Sequence, residues 1–559
     1  MLFYVASFLL LLGPLVFVHE LGHFIFAKLF NVRVDVFSMG FGPKIFNRKW
    51  GETEYCVSLI PLGGYVKLFG QDPTEVVTPE NKKRALNSQE AWKRFLIFVA
   101  GPLFNFIFAI LVFALMLVLG EPHLGPVLSR VVPKSQAEVA GFRSGDVITS
   151  INRTVITNFD EVSKIVSESA NKELSFRVKR QNKTREIKVV PHPGPGLSIY
   201  GEPIEVGIVD GMNPFGRATT IGISNPHSLA AKAGLKTGDE IVAVNDRSVS
   251  SFEDLEKVFA SELKTNSKQF ILKIRSNDIK TWVAETSAIS KNKGPTTDIT
   301  VPAKPLSDLG IFSSELFVAS VLKDSPAEKA GVLVGDRIAS FDQKRIEAFD
   351  SLKEMVQAAG DADSSFVLSI ERDGKLLSFD ITPMANETKD ITGKDVKRFV
   401  MGVVPLFVQA EPTLFIERIF NPYTLTLEAW SRAIDLSVKT VVSIKKLFTR
   451  QVSVNSLGGP ILIGKLAGDS MSRGLAAFLK VMAIISISLA IFNILPVPIL
   501  DGGHIFLLFV EVIRGRPISM RQTEVVQQVG LSLIVLLLVV VLFNDFSRVG
   551  IPALKSFFQ

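Results

Sequence analysis

A polytopic α-helical membrane protein, with four transmembrane helices and a large inserted α+β region, is what this 559-residue sequence predicts. Two observations carry that prediction. Apolar residues make up 47% of the chain and mean hydropathy is +0.31, yet charged residues still contribute 21%. Apolar and polar stretches must therefore be segregated along the chain. Four apolar runs, each near the roughly 20 residues that a helix needs to cross the hydrocarbon layer, bracket a polar middle at about 121–470. The length exceeds what one hydrophobic core serves, so several domains are expected. The 62 basic and 55 acidic residues leave a formal charge of +7, an excess suited to basic loops beside a membrane. No nucleic-acid motif accompanies it, and nucleic acid is not an expected partner. The single cysteine, Cys56, excludes an intrachain disulfide framework and a Cys-rich zinc finger, and reads as a packed thiol.

The first span covers 1–30. From Met1 to about Ala27 its apolar run is broken only by His19, Glu20 and His23, and it lacks the basic start and small-residue cleavage site of a removable signal peptide. It is read as a retained helix. A loop at 31–94 follows, holding ten Lys or Arg, then a second span at 95–120. The third span is placed at 475–502, a short loop with Arg514, Arg516 and Arg521 at 503–524, and the fourth span with the C-terminal tail at 525–559. Short basic loops stay in the cytoplasm, whereas a long folded loop crosses regardless of charge. Both chain ends and the middle region are thus expected outside the cytoplasm, and the bilayer is the first expected partner.

The middle region repeats itself. Ala140-Gly141, Gly145-Asp146 and Phe159 recur as Ala233-Gly234, Gly238-Asp239 and Phe252, and again as Ala330-Gly331, Gly335-Asp336 and Phe349. The Asp-to-Phe spacing is 13 in all three, with copies 93 and 97 residues apart, a regularity that composition does not produce. Each copy predicts a small helix ending at the Gly, a Gly-Asp turn, an alternating strand, an amphipathic helix from the Phe, and further strands. These segments resemble extracytoplasmic PDZ domains, assigned to 121–200, 201–300 and 301–390. That resemblance implies peptide ligands added as a strand to an open sheet edge. No copy shows an obvious Gly-rich carboxylate loop, so spacer and peptide-binder both stand for any one of them. The linker at 391–474 has helical apolar spacing with Lys445 and Lys446; a membrane-surface gate and a plain connector both fit it.

His19-Glu20-Leu21-Gly22-His23 is an H-E-x-x-H. On a helix, positions four apart share a face, so two imidazoles suit one zinc ion and the intervening Glu can take a proton from water. Ionisable residues inside an apolar span are costly and functional by default, and three fall within five residues here. A catalytic zinc takes three protein ligands, so one is missing. Asp501 and His504, in "NILPVPILDGGH", are the candidates. Pro496 and Pro498 just before them break the helix and free backbone groups for other partners.

H-E-x-x-H in the first span with N-x-x-P-x-P-x-L-D-G in a later one resembles the site-2 family of intramembrane zinc metalloproteases. "SMGFGPKIF" (38–46), "PLGGYVKLFG" (61–70), "AGPLFNFIFA" (100–109) and "FNDFSR" (543–548) resemble its bacterial members, as do the four spans and the insertion. Three PDZ-like copies, where two are usual, depart from the pattern. The resemblance implies Zn2+ held by His19, His23 and Asp501, with Glu20 as general base and later proton donor. It implies that Asn493, Pro496 and Pro498 hold an unwound substrate, and that Gly63, Gly64 and Tyr65 belong to a membrane-dipping β-loop that pairs with it. The implied setting is a bacterial inner membrane, with the active site toward the cytoplasmic side. The implied substrate is a single-span membrane protein already cut outside, such as an anti-sigma factor, with remnant signal peptides as a second class. A PDZ scaffold with a decayed metal motif is opposed by the intact Glu20, and a metal transporter by the lack of polar residues along the spans.

Overall fold

The computed structural model describes residues 2–71, 78–79, 81–198, 202–265, 267–276, 294–389, 395–449, 458–516 and 518–546. The C-terminal tail, Ser547 and Arg548 of the "FNDFSR" motif, and 450–457 of the expected linker lie outside them. The chain divides into two compact units, 1–122 with 416–559, and 123–415.

Among the described residues of the first unit, four helices are long and apolar enough to cross a membrane: Leu2–Leu29, Ala91–Leu119, Leu475–Ile494 and Arg521–Asp545. The first three share a core in which Leu11, Leu15, Val112, Met116, Phe478, Met482 and Ile487 are buried. The first and second cross closely because both present small residues there. A Cβ added to Gly22 would run into the carbonyl of Ala100, and one added to Gly101 would run into His23. Small residues let helix backbones approach where lipid offers no hydrophobic drive. On the fourth helix Leu533, Val535, Leu536 and Val539 are exposed, as expected of a face that meets acyl chains rather than water.

The third apolar run does not continue to 502. The helix stops at Ile494, and a separate helix, Asp501–Arg514, occupies much of the stretch expected to be a loop. Pro496 and Pro498 account for the break, since neither has an N–H to continue the ladder. The connecting turn contains Ile499 at φ 84°, a left-handed conformation that a β-branched residue adopts only under strain. Gly502 lets the new helix press on the unwound chain, because a Cβ there would strike the carbonyls of Ile494 and Leu495.

Between the first two spans lies an antiparallel hairpin, Val34–Trp50 with Thr53–Leu68. Both strands bend, so it folds over on itself. Phe37 pairs with Tyr55 on one side and Val66 on the other, while 44–50 pairs with 53–58. Residues 64–68 therefore form one outer edge, and among the described residues no further strand pairs with them. The outer strand 44–50 carries exposed Ile45, Phe46 and Trp50.

Among its described residues the second unit holds three similar sheets of four or five strands, each with its own core, beside smaller two-stranded ones. The repeat is physical. The small helices 136–140, 229–232 and 326–330 are each capped by a serine (Ser135, Ser228, Ser325) whose side chain accepts an amide N–H three residues on. Gly141, Gly234 and Gly331 then stand at φ 106°, 100° and 93°, where a side chain would be strained. Asp146, Asp239 and Asp336 close the next turn by accepting the amide N–H of Arg143, Lys236 and Leu333 at 2.9, 2.8 and 2.7 Å. Each Asp lies at or beside the start of the central strand, and Phe159, Phe252 and Phe349 each open the amphipathic helix. Glu315, only 1% exposed, joins Arg130 of the first repeat to Arg217 of the second. Burial pushes its carboxyl above the usual range, against the pull of the two guanidinium groups.

Candidate metal centre

His19 and His23 lie one turn apart on the first helix, and both rings face the second helix where Gly101 leaves room. A Cβ on Gly101 would also fall 2.8 Å from His19 Cε1. Asp501 is the first residue of its helix. Its carboxylate turns to the histidines, with Oδ2 3.1 Å from His19 Nε2 and Oδ1 3.4 Å from His23 Nε2. The two Nε2 atoms are 3.3 Å apart. The fold thus gathers one ligand atom from each of three residues, two on the first helix and one far away in sequence.

This donor set fits zinc. Ligands about 2.0–2.1 Å from a tetrahedral ion stand about 3.3 Å from one another, which matches the spacing here. Two imidazoles and one carboxylate are a known catalytic combination that leaves a fourth position for water. His23 is oriented for it: Nδ1 donates to the carbonyl oxygen of Ile97 at 2.7 Å, so the lone pair on Nε2 points at the centre. His19 has the side chain of Asn105 at 3.3 Å from Nδ1.

A cavity of about 560 Å³ elsewhere, between the repeats, contains none of these residues; the metal centre opens on one of about 460 Å³. Its walls include Glu20, Gly63, Gly64, Tyr65 and Asn493. The Asn493 amide lies 3.5 Å from His19 Nε2. Gly64 abuts the first helix, where a Cβ would come 3.0 Å from Glu20 Cγ, so the hairpin's outer edge runs beside the carboxylate. Pro496 and Pro498 do not line this cavity. Pro496 faces an apolar recess with Trp92 and Phe95, and Pro498 packs on Gly530 of the fourth span. His504 stacks on Phe98, centroids 5.0 Å apart, and supplies no atom to the three-residue cluster.

Three contributors were not read from the sequence: Asn105, the Ile97 carbonyl and the strained Ile499. Asn105 carried a usable signal, being a polar residue in an otherwise charge-free span. The other two had none, because a backbone carbonyl and a backbone torsion belong to no residue type.

The family description "Peptidase family M50" matches residues 7–537. The Regulator of sigma-E protease RseP of Salmonella typhimurium is 31% identical over 553 residues, covering 97% of this chain and 98% of the relative. That of Escherichia coli K12 is 30% identical over 551 residues with the same coverage. A putative zinc metalloprotease of Neisseria meningitidis is 29% identical over 546 residues, again at 97% and 98%. With a match along nearly its whole length and a donor set suited to zinc, the chain belongs to peptidase family M50 and is a zinc metalloprotease.

Proposed function

We propose that this protease works inside a bacterial inner membrane, cutting the spanning segment of single-span proteins already clipped outside. An anti-sigma factor is the leading substrate class, and remnant signal peptides are a second. The observation that carries the reading is the meeting of His19, His23 and Asp501 among helices long and apolar enough to span a bilayer.

A bound zinc ion supplies Lewis acidity, drawing electrons from the scissile carbonyl and making a neighbouring water easier to deprotonate. Every other task falls to side chains. Glu20, beside the ligands on the same helix, takes the proton from the attacking water and returns it to the leaving amine. Asn493 holds the substrate backbone near the ligands. A helical substrate hides its amides in its own hydrogen bonds and must unwind before attack. Residues 64–68 offer a strand edge beside Glu20 that carries no further strand among the described residues, so an unwound segment regains there hydrogen bonds it gives up. The repeats, read as PDZ-like domains outside the cytoplasm, exclude substrates whose outer domain is still attached.

Glu20→Gln tests the mechanism. It keeps the shape but removes the proton acceptor, so the purified variant should retain zinc and fold while cleaving a spanning peptide several orders of magnitude more slowly. Near-parental cleavage would sink the proposed role.

A further inference from the structure

Asn105 is only 1% exposed, on the second helix one turn beyond Gly101, and its side-chain amide meets His19 Nδ1 at 3.3 Å. Drawn with its nitrogen toward the ring, the amide donates to Nδ1 and forces the imidazole proton onto Nε2. That leaves Asn105 Oδ1 buried with no hydrogen-bond partner. It also puts a proton on Nε2, where the metal centre requires a lone pair. Turning the amide over exchanges two groups of nearly equal size and removes the conflict at Nε2. Oδ1 then accepts the Nδ1 proton, and the Nε2 lone pair is free to join His23 Nε2 and Asp501.

Resting on the metal centre proposed above, we propose that Asn105 is a positioning residue that locks His19 in its Nδ1–H form and aims Nε2 at zinc. It would do for His19 what the Ile97 carbonyl does for His23. The second helix thereby orients both imidazoles of the first, one through its backbone and one through a side chain. Its hold on Asn105 is firm, because the Asn105 main-chain carbonyl accepts a 2.7 Å hydrogen bond from the fully buried Ser486 of the third span.

The test is zinc affinity, measured by chelator competition on the purified full chain carrying Asn105→Leu, Asn105→Asp or His19→Ala. Asn105→Leu removes the acceptor at similar volume and should weaken zinc about 10–100-fold, the usual effect of losing such a partner. Asn105→Asp, whose carboxylate accepts from Nδ1–H, should bind zinc at least as tightly as the parent. Metal-free Asn105→Leu should unfold at the temperature of the metal-free parent, which separates lost positioning from lost fold. Parental affinity in Asn105→Leu, or an affinity in Asn105→Asp as weak as the leucine variant should show, would overturn the assignment. If Asn105→Leu does not fold, Asn105→Asp decides alone: parental binding supports the role and weakened binding overturns it. His19→Ala judges the underlying site separately, since parental zinc affinity there would remove the metal centre whatever Asn105 does.

Discussion

Single residues set this site through the space they leave as much as through the chemistry they bring. Gly101 shows this well. Its Cα faces both imidazoles, and even a methyl group would collide with His23 and crowd His19. Gly101→Ala should therefore lower zinc occupancy, because the rings must rotate away from Asp501 or the two helices must separate. Metal analysis of the purified variant checks this; full occupancy with parental spectroscopic properties in a cobalt-substituted sample would contradict it. The histidines and Glu20 were legible in the sequence because charge in an apolar run has few bland explanations. Asp501 was legible only as one of two candidates until the family resemblance chose between it and His504, and the fold puts Asp501 alone beside both imidazoles. Pro496 and Pro498 were expected to hold substrate. Their positions away from the cavity give them a plainer effect, the break in the helix that lets residue 501 begin a new one.

Elements were legible in proportion to how strongly they repeat or how long they run. The three Gly-Asp turns were recognisable because each needs a glycine at positive φ and an aspartate to accept a nearby amide, which constrains residue identity. Four long helices followed from apolar length alone. The boundaries beside them did not. Pro496 and Pro498 announced a break, but residues 495–500 are otherwise as apolar as the helix before them, so the span was carried on to 502 instead of ending at Ile494. The hairpin hid more. Its β-loop was expected from a motif, but the folding of two long strands into four paired segments depends on bends that no residue pattern announced. That doubling matters for function, because it makes 64–68 an outer edge rather than an inner strand.

At the scale of the whole molecule, a site assembled within the first unit is accompanied by a second unit of nearly 300 residues that supplies none of its ligands. A size filter is the economical use for such bulk, since a folded domain is excluded from a narrow entrance without any binding energy. Replacing 121–390 by a flexible linker should leave cleavage of a pre-clipped substrate intact and newly allow cleavage of the full-length form in membranes. If the full-length form stays uncut while the clipped one is processed, the repeats recruit partners instead. The central claim is narrower: the first span and the helix that begins at Asp501, separated by most of the chain, close one zinc site through His19, His23 and Asp501. Zinc content of the purified full chain tests it most directly. The account predicts one zinc per chain in the parent, in Glu20→Gln and in His504→Ala, and loss of zinc in Asp501→Ala. Stoichiometric zinc in Asp501→Ala, together with loss in His504→Ala, would contradict it.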